Sequence, residues 1–182
     1  MASRIRNRVI TGTGLAVVVG AVAFGAVNAS AAPAAPVQPA AVTADAKGLV
    51  TSTHLSVDAA TKAAQAALHA AAKEGQRVSV AVVDRNGNTV VTLRGDGAGP
   101  QSPESAERKA FTAVSWNAPT SVLAGRLAQN PGLKDIPGTL FLAGGAPVQA
   151  KGAPIAGIGV AGAPSGDLDE KFAQAGVAAV TK

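Results

Sequence analysis

The chain has 182 residues, carries +5 at neutral pH, and contains no cysteine, no tyrosine and one tryptophan. Without cysteine there are no disulfides, thiolate metal sites, cysteine nucleophile or covalent haem attachment, and without tyrosine there is no phenol chemistry. No basic run with interleaved aromatics is present, which argues against a nucleic-acid partner.

The first residues, "MASRIRNR", place Arg4, Arg6 and Arg8 ahead of the apolar run "VITGTGLAVVVGAVAFGAV" and the small-residue exit "NASAA". These are the three parts of an export signal, expected to span residues 1–31 and to deliver a secreted, extracellular protein. The arginines are separated, so a twin-arginine route has no support. Removing this segment takes away three arginines and no acid, so +5 falls to +2. Residues 32–49, rich in Ala and Pro with no hydrophobic period, read as a flexible spacer. One domain is expected over 50–182.

In the domain, "SVDAATKAAQAALHAAAKEG" has Ser56 as N-cap and Asp58 in its first turn and ends at Gly75, predicting a helix. The β-branched runs "RVSVAVVD" and "TVVTLRGDG" flank Asn86-Gly87, which predicts a two-residue hairpin with left-handed central positions. Ser102 as cap and Pro103 as first residue predict a second helix through Trp116. "PTSVLAGRLAQN" predicts a third helix stopped by Pro131. "GTLFLAG", "APVQAKG" and "PIAGIGVAGA" read as three strands, and "GDLDEKFAQAGVAAV" as a closing helix. Strands grouped rather than alternating singly with helices predict an α+β fold, an antiparallel five-stranded sheet with packed helices. With no disulfide, Ala-rich packing and oligomerisation are the expected sources of robustness.

Glu104 and Glu107 in "SPESAERKAF", and Asp167 and Glu170 in "SGDLDEKFA", stand three apart at helix starts. Such acids satisfy the helix dipole, and Asp167 with Glu170 could form an acid capping box. The same spacing lets two carboxylates share a hard or borderline cation at a solvent-facing site, with Arg108 and Lys171 as competing ion-pair partners. Both readings stand on the residues alone. Neither His54 nor His69 has a partner at zinc-ligand spacing, and there is no Gly-x-Ser-x-Gly elbow and no nucleotide loop. The glycines of "GIGVAGAPSG" read as positions where a strand packs closely or bends. In "KDIPGTLFLAGGAPV", Pro137 and Gly138 force a turn before Thr139, and Phe141, Leu142 and Val148 offer apolar walls to a flat ligand.

The blocks "VAVVDRNGNTVVTLRGDGA", "SAERKAFTAVSWNAPT", "IPGTLFLAGGAPV" and "GAPIAGIGVAGAPSGDLDEKFAQAG" together resemble the GlcG/HbpS-like haem-binding family, in order and over the whole domain. The resemblance implies haem held near a subunit surface and a higher homo-oligomer, an octamer being the candidate state. It also implies redox and haem-stress sensing outside the membrane, with iron ions and a membrane sensor histidine kinase as partners. It matches Glu104/Glu107 and Asp167/Glu170 to iron-binding motifs and Thr139 to an oxygen contact with haem iron. A neutral hydroxyl is a weak axial ligand, so haem would be labile; His54 is the alternative ligand and Lys109 a partner for the propionates. The expected role is binding and sensing rather than catalysis. A haem-degrading enzyme and an oligomeric small-molecule carrier without haem are the alternatives.

Overall fold

The computed structural model describes residues 43–181, so the expected export signal and most of the spacer lie outside the described residues. Within the expected spacer, Ala46–Gly48 form a single 3-10 turn, and the compact body begins at Ala46. Among the described residues no helix is long and apolar enough to cross a membrane.

The body contains helix α1 (Val57–Lys73), strands β1 (Ser79–Asp84) and β2 (Thr89–Arg94), helices α2 (Ser102–Trp116) and α3 (Thr120–Ala124), strands β3 (Gly145–Ala150) and β4 (Ala153–Ala161), and helix α4 (Gly166–Ala178). The sheet is antiparallel, in the order β2-β1-β4-β3. The fold is α+β as expected, with four strands rather than five.

Residues 138–144 make no strand. Gly138 is left-handed at φ 77°, and the chain beyond it bonds to α2 instead of to a ladder. The Leu140 amide donates to Thr112 Oγ1 at 2.8 Å, and Arg108 donates to the Thr139 carbonyl at 2.8 Å. Side chains take the Leu140 and Gly144 amides and the Thr139 carbonyl, and the Thr139 amide closes on Ile136 O. The Gly144 carbonyl alone reaches β4, accepting the Val160 amide at 2.8 Å, so no ladder forms over the segment. The third helix is also shorter than expected. It ends at Ala124, and 3-10 turns at Gly125–Ala128 and Pro131–Asp135 continue the chain.

The turns differ from expectation for a local reason. Asp84 accepts the amides of Asn86 at 2.8 Å and Asn88 at 2.9 Å, and the Gly87 amide bonds the Asp84 carbonyl at 3.0 Å. That stabilises an ordinary turn followed by left-handed Gly87, with a register shift at Val82/Val83, so only Gly87 of the pair has positive φ. The two-residue turn with both centres left-handed is Lys151-Gly152, at φ 51° and 77°.

Strand alternation divides the core between two faces. Val78 just before β1, Val80 and Val82 of β1, and Ile158 and Val160 of β4 face α1 and α4 and their buried Ala60, Ala63, Ala64, Ala67 and Phe172. On the other face, Ala81 and Ala161 meet Ala106, while Val83 meets Ala110 and Val114 of α2. Helix α2 lies directly on β4 because Gly157 and Gly159 carry no Cβ. One added at either would run into the carbonyl of Ala110 or Ala106. This is the close strand packing the glycine pattern implied.

Candidate functional site

The first turns of α2 and α4 place the four candidate metal acids in unlike surroundings. Ser102 is the first residue of α2 rather than its cap, and its buried hydroxyl donates to Gly99 O at 2.7 Å beside Ser79 Oγ at 2.8 Å. Glu104 is 80% exposed with Arg108 Nη1 3.9 Å away, while Glu107 accepts the Thr92 hydroxyl at 2.7 Å. In α4 the cap is Ser165, which accepts from Leu168 N at 3.3 Å, so the acid capping box does not form. Asp167 is exposed, with no hydrogen bond or ion pair among the described residues. Glu170 instead reaches across to α3 and accepts the Ser121 amide at 2.9 Å and the Ser121 hydroxyl at 2.5 Å. Among the described residues no three His, Asp or Glu side chains gather to hold a metal. Each pair would have to complete its ligand set with water.

Thr139 is 1% exposed, and its hydroxyl donates to Ile136 O at 2.7 Å. It lines a cavity of about 250 Å³ with Arg108, Leu127, Lys134, Leu140, Phe141 and Leu142. Trp116 closes on Phe141 edge to face at 5.2 Å. A groove of about 170 Å³ adjoins it, lined by Val83, Gly87, Glu107, Arg108, Phe111 and Gly138 among others. Arg108 therefore belongs to both, and Glu107 of the first acid pair opens onto the groove beside the Thr139 turn.

His54 lies at the hairpin turn, with Nε2 2.6 Å from Ser52 Oγ and Nδ1 3.7 Å from Asp84 Oδ2. Partial burial raises the Asp84 pKa, but the bonds from Asn88 and Asn86 and the nearby His54 outweigh it, leaving the carboxyl below its ordinary range.

Lys109 is corrected most. It is buried, and its ammonium donates to Asp169 Oδ2 at 2.8 Å and Val160 O at 3.0 Å, so it is committed to the interior and not a rim cation for propionates. Burial pushes the Asp169 carboxyl above its ordinary range, partly offset by Lys109 and by the Ala163 and Gly162 amides. Arg108 and Lys134 are the cations that line the Thr139 cavity. Sequence reasoning missed them, and it missed Asp169 between its two chosen acids. The signal was available: two positions after exposed Asp167, a helical side chain points to the opposite face.

The lining tests the implied haem. Apolar Leu127, Leu140, Phe141 and Leu142 suit a macrocycle face, and Arg108 and Lys134 suit carboxylates. The residues fit the group in kind, although a cavity of about 250 Å³ accepts only part of a porphyrin and leaves the rest at the surface.

The profile of the family described as haem-degrading protein HbpS-like matches residues 55–178. The chain belongs to the HbpS-like family. A crystal structure of a double Glu→Asp variant of Streptomyces reticuli HbpS is 73% identical. It covers 80% of this chain and 99% of its own, with a TM-score of 0.79. A structure of HbpS is 76% identical over 78% of this chain and 100% of its own, at TM-score 0.77. A PduOC–haem complex is 28% identical over 70% of this chain and 95% of its own, at TM-score 0.64. No curated protein matches. In these HbpS-like terms the fold is the family's α+β fold, with the Thr139 cavity and the two acid pairs set around α2 and α4.

Proposed function

We propose that this chain is a secreted haem- and iron-binding accessory protein that modulates a membrane sensor histidine kinase under redox or haem stress. The observation that carries the reading is the family match over residues 55–178, with 73–76% identity to HbpS across essentially that whole chain. The export pattern of residues 1–31 supports the extracellular limb. The cavity at Thr139, with apolar walls and two cations, is where haem docks, and Arg108 and Lys134 meet its propionates. Bound haem supplies a redox-active iron whose release or oxidation state the protein reports. Iron ions are held at Glu104/Glu107 and at Asp167/Glu170. The working unit is a homo-oligomer, proposed as an octamer.

Titrating the purified protein with hemin should give a Soret shift saturating near one haem per chain, and no shift overturns the proposal. Thr139→Val and His54→Ala, titrated separately, identify the axial ligand by which of them moves the band.

The family's description favours a second reading, haem degradation. Repeated turnover to a bilin-type product in the presence of a reductant would establish it. A single stoichiometric bleaching would leave binding and sensing as the role.

A further inference from the structure

Residues 120–144 connect α2 to β3 and carry Thr139, with Thr120, Leu123, Thr139 and Phe141 buried against the body. Residues 128–132 and 134–138 are exposed, and much of the hydrogen bonding there closes local turns. One carboxylate holds both ends. Glu170 Oε2 accepts the Ser121 amide at 2.9 Å and the Gly144 amide at 3.3 Å, while Oε1 accepts the Ser121 hydroxyl at 2.5 Å. The Thr120 hydroxyl, 3.5 Å from Oε2, in turn accepts the Gly145 amide at 2.7 Å. The start and the finish of the run are thus tied twice, through the Glu170 carboxylate and through the Thr120 hydroxyl.

Asp167, one turn earlier on α4, is exposed and without a partner among the described residues. Oε2 already accepts two amides and Oε1 the Ser121 hydroxyl. A cation between Asp167 and Glu170 must therefore displace one of these donors or take the second lone pair of Oε1, where it draws charge away from the bonds that close the run. Cation capture and closure of the run compete for the same atoms.

We propose that Glu170 is the positioning residue of the Thr139-bearing run, and that a cation taken up at Asp167/Glu170 frees the ends of that run. Cation and cavity ligand then weaken each other's binding by the same factor, since coupling between two sites is reciprocal. The coupling rests on the iron and haem reading above; the positioning role does not.

Native-state hydrogen exchange on the full chain tests both parts. Glu170→Ala should speed exchange at the Ser121 and Gly144 amides by about tenfold to a hundredfold, the range for losing a bond to a charged acceptor. Amides of β1 should keep their protection. Glu170→Gln, which retains one acceptor oxygen, should fall between and guards against a Glu170→Ala variant that does not fold. Unchanged Ser121 and Gly144 overturns the positioning role, and so does equal acceleration in β1, which would mark a general stabiliser. Adding Mn²⁺, a hard divalent probe, to wild type should reproduce the acceleration at those two amides, and Asp167→Asn should blunt it. Mn²⁺ bound by its paramagnetic signal with no change in exchange overturns the coupling while the iron reading stands. Mn²⁺ that fails to bind is followed by Fe²⁺ under anoxic conditions, which binds such sites more tightly. Failure of both overturns the coupling and the iron reading at this pair together, with the Glu170→Ala result still deciding the positioning role.

Discussion

Lys109 Nζ lies 2.8 Å from Asp169 Oδ2, with side chains 6% and 5% exposed, and the pair joins α2 on one face of the sheet to α4 on the other. They meet at Gly144, where a Cβ would collide with the ammonium, with Val160 O and with the Asp169 side chain. A buried pair with further hydrogen bonds contributes modestly as a pair, but losing one partner strands a charge. Lys109→Met is therefore expected to cost about 3–5 kcal/mol. Asp169→Asn keeps an acceptor for the Ala163 amide but strands the ammonium. Lys109→Met with Asp169→Asn should recover a substantial part of the loss. Urea unfolding of the two single variants and the double variant measures the coupling, and additive losses would show that the pair does not act as a unit.

Asp84 makes the hairpin turn pH-sensitive. Its folded pKa lies below the ordinary value, so it stabilises the fold above the unfolded pKa of about 3.9 and loses that contribution as pH falls through the folded value. Asp169, raised instead, acts in the opposite sense, stabilising below the unfolded pKa and losing the contribution as pH rises through its folded one. Asp84→Ala should cost about 1 kcal/mol at neutral pH, the scale of a turn's hydrogen bonds. The gap from wild type should close as pH drops below about 4. Thermal unfolding followed from pH 7 down to pH 3 shows it; a gap independent of pH would assign the loss to packing.

Where the residues carry local rules, the sequence was legible. Helix α1 begins at the Ser56 cap and α2 ends at Trp116, and β1 and β4 follow their β-branched and glycine patterns. Residues 138–144 were not legible, because β-propensity there was overridden by bonds to Thr112 and Arg108 on α2, far away in sequence. The same limit applied to the site. Helix dipole and spacing marked Glu170 as an acid at a helix start, but that its oxygens serve Ser121 and Gly144 depends on tertiary structure. Lys109 failed for the same reason, since nothing local distinguishes a rim lysine from one paired with a carboxylate sixty positions on.

The first acid pair separates stability from cation binding. Glu104 is 80% exposed with a 3.9 Å ion pair, so Glu104→Ala should change stability by less than about 0.5 kcal/mol. Glu107→Ala removes the acceptor of the Thr92 hydroxyl and should cost about 1 kcal/mol. Under the proposed iron role both variants should weaken cation uptake at this pair to a similar degree, although only one is destabilised. Isothermal titration beside chemical unfolding checks this, and loss of uptake in Glu107→Ala alone would count against a shared site.

The contact between α2 and β4 carries the largest expected effect of one added carbon. Gly159 faces the Ala106 carbonyl and Gly157 the Ala110 carbonyl, both backbone atoms in the interior of α2. Backbone cannot rotate away as a side chain can, so Gly159→Ala must lift the helix off the strand. That displacement would also strain Ala81 and Ala161, which pack on Ala106, and would pull at Lys109 and Arg108 farther along α2. The expected cost is at least about 2–3 kcal/mol, at the upper end of overpacking penalties. Gly152→Ala is a control of a different kind, with nothing within 4 Å and only a positive φ of 77° to oppose it, and should cost about 1 kcal/mol. Comparing the two by thermal unfolding separates steric exclusion from backbone strain, and equal losses would mean that α2 has slack against β4.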